Sequence, residues 1–267
     1  MFIDSHCHLT SAQFDGDRDE VLRRAFDAGV EVVVNPAVDV ADSIKAIELA
    51  ERHPRVFACV GLHPHEASKA NDQSLKQIEE LSRHEKVVGI GEIGLDYHYD
   101  FAPRDVQIAV FKAQIEIAQR RDLPIVIHTR KSIEDTVKAV EESIEQFPQW
   151  RSDGEKRRGV YHCFSGSTED AWKVINARFI VSFPGMITFK MATGAAEIAS
   201  RIPMRNLLLE TDSPYLAPVP LRGKRNEPAN IPLIAKRISE LQNVSIEDVG
   251  VTTTRNSRLF FGLSPAE

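Results

Sequence analysis

The sequence predicts an α/β fold, a single (β/α)8 TIM barrel occupying residues 1–267. Three observations point to it. Short runs rich in Val, Ile and Leu recur along the chain without polar alternation, as strands buried on both faces do. Longer stretches with helical spacing separate these runs. The chain has 267 residues, and a barrel of this kind commonly takes about 250. A doubly wound open sheet is the competing architecture, but no G-x-G-x-x-G or P-loop pattern supports it with a nucleotide site.

The eight runs are FID (2–4), EVVVN (31–35), VFACVG (56–61), VVGIG (87–91), PIVIH (124–128), GVYH (159–162), FIVSF (179–183) and NLLLE (206–210). Between the fourth and fifth, Val106, Val110, Ala113 and Ile117 recur at helical spacing, with Pro103 in the first turn. The next helix opens at Ser132, with Asp135 placed to close a capping box. The charged stretch 152–158 reads as a turn rather than a linker, so no domain boundary is expected. The segment 214–232 is long, Pro-rich and basic, and reads as an active-site loop. A helix over 246–260 closes the chain.

Composition narrows the functional classes. The chain is 42% hydrophobic, enough for a full core, and its net charge is −6. That balance excludes the globally basic surface of a tight duplex binder. A polyanionic substrate would be held locally, by metal ions and a few cations. Cys7, Cys59 and Cys163 are too few for a disulfide framework and suit a reducing compartment as small core residues. No basic-then-apolar leader precedes FIDSHCH, and no apolar run reaches the roughly 20 residues that span a bilayer. A cytoplasmic protein with no membrane attachment and no obligate protein partner is expected.

Substrates of parallel barrels bind at the C-terminal ends of the strands. His6 and His8 follow the first run, and residues i and i+2 of a strand share a face. His63, with His65 beyond it, follows the third run, Glu92 the fourth, His128 the fifth, His162 the sixth and Asp212 the eighth. Any one of these has an ordinary explanation as a hydrogen-bonded or capping residue. Four imidazoles and two carboxylates on one rim would be costly to desolvate without a cation. His53, His84 and His98 lie away from strand ends and are assigned structural roles. Six ligands exceed the needs of one catalytic ion, which takes about three plus water. Glu92 is placed to bridge two divalent ions through its two oxygens. The imidazole-rich shell favours Zn, Mn, Co or Ni over Mg and leaves the identity open.

These residues resemble the TatD family of metal-dependent deoxyribonucleases, within the amidohydrolase superfamily. The likeness lies in Asp4-Ser-His6-Cys-His8-Leu, in Pro124-Ile-Val-Ile-His128-Thr-Arg130 with Glu134 beyond, and in Leu208-Leu-Glu210-Thr-Asp212-Ser-Pro214-Tyr215. Gly61-Leu-His63-Pro64, Gly91-Glu92-Ile-Gly94-Leu-Asp96 and His162-Cys-Phe164-Ser165-Gly166 also fit. Thr10 departs from the family's usual Asp or Asn, at a position that is not a ligand. The resemblance implies that His6, His8 and Asp212 hold one metal, that His128 and His162 hold the second, and that Glu92 bridges. It implies that His63 contacts the scissile phosphate, and that metal-activated water attacks phosphorus with Asp212 as general base. Arg130 and Lys131, with Arg222, Lys224 and Arg225 in the long loop, would steer a phosphate backbone. Tyr97, Tyr99, Phe164 and Tyr215 would offer rings for bases to stack on. The expected activity is hydrolysis of DNA phosphodiester bonds, with 3′–5′ cleavage of single strands as its finer form. The alternatives are a two-metal hydrolase of a small ester, lactone or cyclic amide, which would not need the basic loop, and a non-enzymatic metal-binding protein with closed coordination.

Overall fold

The structure, a computed structural model, describes residues 1–99 and 101–264. Its strands are β1 (Phe2–Asp4), β2 (Val30–Pro36), β3 (Val56–Val60), β4 (Val87–Asp96), β5 (Ile125–Arg130), β6 (Gly159–Tyr161), β7 (Phe179–Phe183) and β8 (Leu207–Leu209). The helices are α1 (Arg18–Asp27), α2 (Val40–Arg52), α3 (Asp72–Leu81), α4 (Arg104–Arg121), α5 (Ile133–Gln146), α6 (Thr168–Asn176), α7 (Thr193–Arg201), α8 (Ile231–Gln242) and α9 (Ile246–Phe261). The strands form one eight-stranded sheet in sequence order. Ser5 N donates to Leu209 O at 3.0 Å, so the end of the sheet returns to its beginning. This is the (β/α)8 barrel that the apolar runs predict. All eight strands are almost wholly buried, which explains why their sequences lack alternation.

The chain divides into two compact units. The first comprises Met1–Asn35, Cys163–Ile175 and Ile180–Glu267. In it α9 packs on β1 and β8, and α8 packs on α7 and α9. The second comprises Pro36–His162 and Asn176–Phe179. In it α2 packs on β3, and α4 packs on β4 and α5.

Three details depart from the sequence reading. β4 runs on to Asp96, so Glu92 lies within a strand rather than after one. Its pairing with β5 shifts register between Ile90 and Ile93 and then sets Gly94 opposite His128. At Gly94, with φ 144°, an added Cβ would fall 2.0 Å from the His128 carbonyl oxygen, so only glycine allows the approach. α4 buries Gln107, Phe111, Gln114, Ile115, Ile117 and Ala118 instead of a stripe through Val106 and Val110. The two glutamines turn inward because each satisfies backbone groups at or just beyond a strand end. Gln114 clamps Leu62 N and O at 2.7 and 3.0 Å, and Gln107 holds Asp96 N at 2.8 Å. The expected capping box at Ser132 is not made. Ser132 Oγ donates to Leu95 O at 2.7 Å, while Asp135 accepts from the Tyr97 hydroxyl at 2.8 Å. No helix among the described residues is long and apolar enough to cross a membrane.

Candidate metal centres

The first unit holds one cluster. After β1 the chain continues extended: Cys7 N donates to Val34 O and His8 N to Ser213 O. This projects His6 and His8 to one side. Their Nε2 atoms lie 3.2 Å apart, and they lie 3.8 and 3.6 Å from Asp212 Oδ1. Ligands about 2.0–2.2 Å from one ion stand roughly 3–3.5 Å from each other. The three side chains form a group able to hold a metal ion. Asp212 sits at φ 55°, in the left-handed region where Asp and Asn are tolerated.

Two acids that sequence reasoning did not single out frame this cluster. Asp4 accepts Thr211 N at 2.9 Å and Thr211 Oγ1 at 2.6 Å, tying the end of β1 to the residue before Asp212. Burial pushes its carboxyl up to about 8, against the lowering effect of the Thr211 hydrogen bonds. Glu210 accepts Cys163 N at 2.7 Å and Ser182 Oγ at 2.6 Å. The available signal was an acid inside an apolar run, two residues before a candidate ligand.

The second unit holds the other cluster. Glu92 Oε1 lies 2.8 Å from His128 Nδ1, 2.8 Å from His162 Nε2 and 3.6 Å from His63 Nε2. His63, Glu92 and His128 form a group able to hold a metal ion, but the hydrogen bonds assign these imidazoles different tasks. His63 Nδ1 accepts His65 N–H at 3.2 Å, which leaves its proton on Nε2. Burial lowers the His63 pKa to about 4 despite the Glu92 carboxylate, so the ring is a neutral N–H donor. His128 Nε2 lies 3.0 Å from Asp96 Oδ2. Donating there, it turns the Nδ1 lone pair toward Glu92, an arrangement that repels unless a proton or cation intervenes. Burial alone would lower the His128 pKa, but Asp96 and Glu92 outweigh it and hold it above the usual value. A divalent cation satisfies the same pair of donors, so this donor set fits a metal.

Asp96 is the acid that the sequence reading passed over in this unit. Its Oδ2 also meets His65 Nε2 at 3.0 Å, and its Oδ1 accepts His98 N and Tyr99 N at 2.8 and 3.1 Å. Burial would raise its pKa, but the hydrogen bonds, led by His128, hold the carboxyl well below the usual range. Lys131, Cys163 and Asp212 all adopt positive φ just beyond strand ends. Such conformations concentrate at functional sites.

Other predicted residues separate in role. Arg130 lies over the Tyr99 ring at 4.9 Å. Arg222 lies over Phe189 at 4.6 Å, and Lys224 is exposed. Arg225 is committed elsewhere: it bonds Asp17 at 2.7 Å through two nitrogens and Gln13 O at 2.7 Å. Phe164 cannot stack on a base, because it is fully buried and its backbone extends toward β7 through Ser182 O. His84 pairs with Glu51 at 3.1 Å, and His53 caps α2.

Clusters of imidazole and carboxylate within or just beyond the C-terminal halves of strands in a parallel barrel fit a metal-dependent hydrolase. The chain belongs to the TatD family: the TatD related DNase model matches residues 3–262. It is 40% identical to YabD of Bacillus subtilis, named an uncharacterized metal-dependent hydrolase, over 99% of this chain and 100% of that one. It is 32% identical to the 3′-5′ ssDNA/RNA exonuclease TatD of Escherichia fergusonii, over 96% and 97% of the two chains. The crystal structure of YJJV, a TatD homolog from Escherichia coli K12, superposes with a TM-score of 0.90 at 30% identity, covering 98% of each chain.

Asp96→Asn tests the orienting role of the carboxylate. A hydrogen-bonded partner behind a ligating imidazole is typically worth about 10–100-fold in metal affinity or activity. The variant is expected to fold and to lose metal affinity by about that factor in a chelator competition. Unchanged affinity would reduce Asp96 to capping the turn at His98 and Tyr99.

Proposed function

We propose that this enzyme is a phosphodiesterase acting on DNA, and that its clusters take two divalent ions. His6, His8 and Asp212 would hold one ion and His128 and His162 the other, with Glu92 as the carboxylate that would bridge. The observation that carries this reading is Glu92 Oε1 standing 2.8 Å from ring nitrogens of both His128 and His162. Each cluster alone supplies about the three protein ligands of an open catalytic site. The ions, when bound, lower the pKa of coordinated water and draw charge from phosphoryl oxygens. Asp212 accepts the proton of the attacking water. His63 presents its neutral Nε2–H to a phosphoryl oxygen and meets the charge that develops there. We further propose a single-domain, cytoplasmic enzyme with DNA as a transient partner, and 3′–5′ cleavage of single strands as the finer activity.

The test compares a labelled single-stranded oligonucleotide with a panel of small esters, lactones and cyclic amides, each with Mn, Zn, Co, Ni and Mg. Hydrolysis of the oligonucleotide is expected. Activity confined to the small neutral substrates would overturn the reading. On the DNA arm, Arg130→Ala, Arg222→Ala and Lys224→Ala should each flatten the salt dependence of binding by about 0.7 per lost phosphate contact. None should affect a neutral ester. Arg225→Ala should instead lower the thermal midpoint, because its partners are Asp17 and Gln13.

A further inference from the structure

Tyr99 and Phe101 present two large rings to solvent, 41% and 61% exposed. They lie nearly parallel, 5.4 Å between centroids and 17° between planes. Exposed rings are common as loop filler, but these stand on a fixed base. Tyr99 N donates to Asp96 Oδ1 at 3.1 Å. Gln107 Nε2 donates to Asp96 O at 3.1 Å and Ala102 O at 2.9 Å, tying those two residues to α4. His65 stands edge-on to both rings, at 5.3 and 4.8 Å, with its own Nε2 anchored on Asp96 Oδ2 at 3.0 Å. A platform held in this way surrenders little conformational freedom when a ligand lands on it.

Its neighbours indicate the ligand. The His65 ring is 4.3 Å from the His63 ring, the donor assigned to the scissile phosphate. The Arg130 guanidinium lies 4.9 Å over Tyr99. The exposed Phe101 ring therefore backs onto a Tyr99 that carries a cation, and it stands one ring away from the phosphate donor. That juxtaposition matches one nucleotide, a π-face linked to an anion.

The geometry points to a base-stacking subsite: an unstacked nucleobase flanking the scissile bond of a single-stranded nucleic acid seats on the outer face of Phe101, which Tyr99 backs, with its phosphate facing Arg130. The assignment rests on the phosphodiesterase reading above. A base inside a duplex has both faces covered by its neighbours, so the platform selects single strands. Stacking is sequence-tolerant, since every base has a π-face.

The test pairs a change in the protein with a change in the substrate. Wild type, Phe101→Ala and Phe101→Trp are assayed on a single-stranded oligonucleotide and on the same strand carrying one abasic residue beside the scissile bond. One base–aromatic stack corresponds to roughly a 5- to 150-fold effect. Phe101→Ala is expected to lose kcat/KM in that range on the intact strand and little on the abasic one, with Phe101→Trp restoring the difference. A 2-aminopurine at that position should be quenched on binding to wild type and less so on binding to Phe101→Ala. Equal losses on the two strands, or unchanged kinetics, would overturn the subsite while wild-type hydrolysis of DNA stands. Failure of wild type to cleave any oligonucleotide would remove the premise instead, and the two failures are told apart by the wild-type rate alone.

Discussion

Exhaustive dialysis against a strong chelator abolishes hydrolysis, and Mn, Zn or Co returned in stoichiometric amounts restores it. The donor sets lead to this result. His6, Glu92 and His162 are buried, and the Nε2 atoms of His6 and His8 approach to 3.2 Å. Imidazole lone pairs and carboxylates gathered out of water repel one another unless cations sit among them. Lewis-acid polarisation is worth several kcal/mol, and each ~1.4 kcal/mol is a factor of ten, so turnover should fall by about 10³-fold or more. The folded state alone presents the assembled ligands, so metal binding also raises the thermal midpoint in proportion to the logarithm of its concentration over Kd. The measurements are turnover, metal content and a melting curve on the same sample. Full turnover at near-zero metal content would refute metal-dependent chemistry at these residues.

The fold was legible because strands buried on both faces must be apolar throughout, and such runs are visible without any partner in view. Most of the candidate ligands were legible because histidines and acids are conspicuous directly after apolar runs. What stayed hidden depends on contacts far away in sequence. Arg225 reads as a free cation until Asp17, 208 residues away, is found on its guanidinium. Gln107 and Gln114 carry no sequence signal of burial, because only the folded chain reveals the backbone groups they satisfy. Phe164 lies two residues after a candidate ligand and looks like a rim residue, yet Phe164 N is drawn to Ser182 O and its ring goes inside. Asp96 was visible as an acid near a strand end. Its partners His65 and His128, 31 and 32 residues away, make it an orienting group. Local pattern therefore picked out the candidate ligands, while the hydrogen-bonded groups behind them needed the tertiary structure.

Asp212→Asn keeps the fold and loses catalysis. Asn is nearly isosteric with Asp, and both are tolerated at positive φ, so the φ of 55° at this position adds no backbone penalty. An alternative role for Asp212 is to cap the turn that leads into Pro214. The structure closes that turn by other means: Tyr215 N donates to the backbone carbonyl of Asp212 at 2.9 Å, and Asn226 Nδ2 holds Tyr215 O at 2.7 Å. Those bonds survive the substitution, so the metal-free melting midpoint should barely move. The carboxylate is what changes. Its Oδ1 stands 3.8 and 3.6 Å from the Nε2 atoms of His6 and His8, the position of a third ligand. An amide oxygen there coordinates without charge, and an amide nitrogen cannot accept a proton from water. A positioned general base contributes about 10²–10⁴-fold, so turnover should fall at least that far, and further where an ion is lost. A cap would behave in the opposite way, with a stability loss of about 1 kcal/mol and turnover nearly intact. One melting curve without metal and one rate with it separate the two, and a variant that melts lower yet turns over normally removes Asp212 from the chemistry.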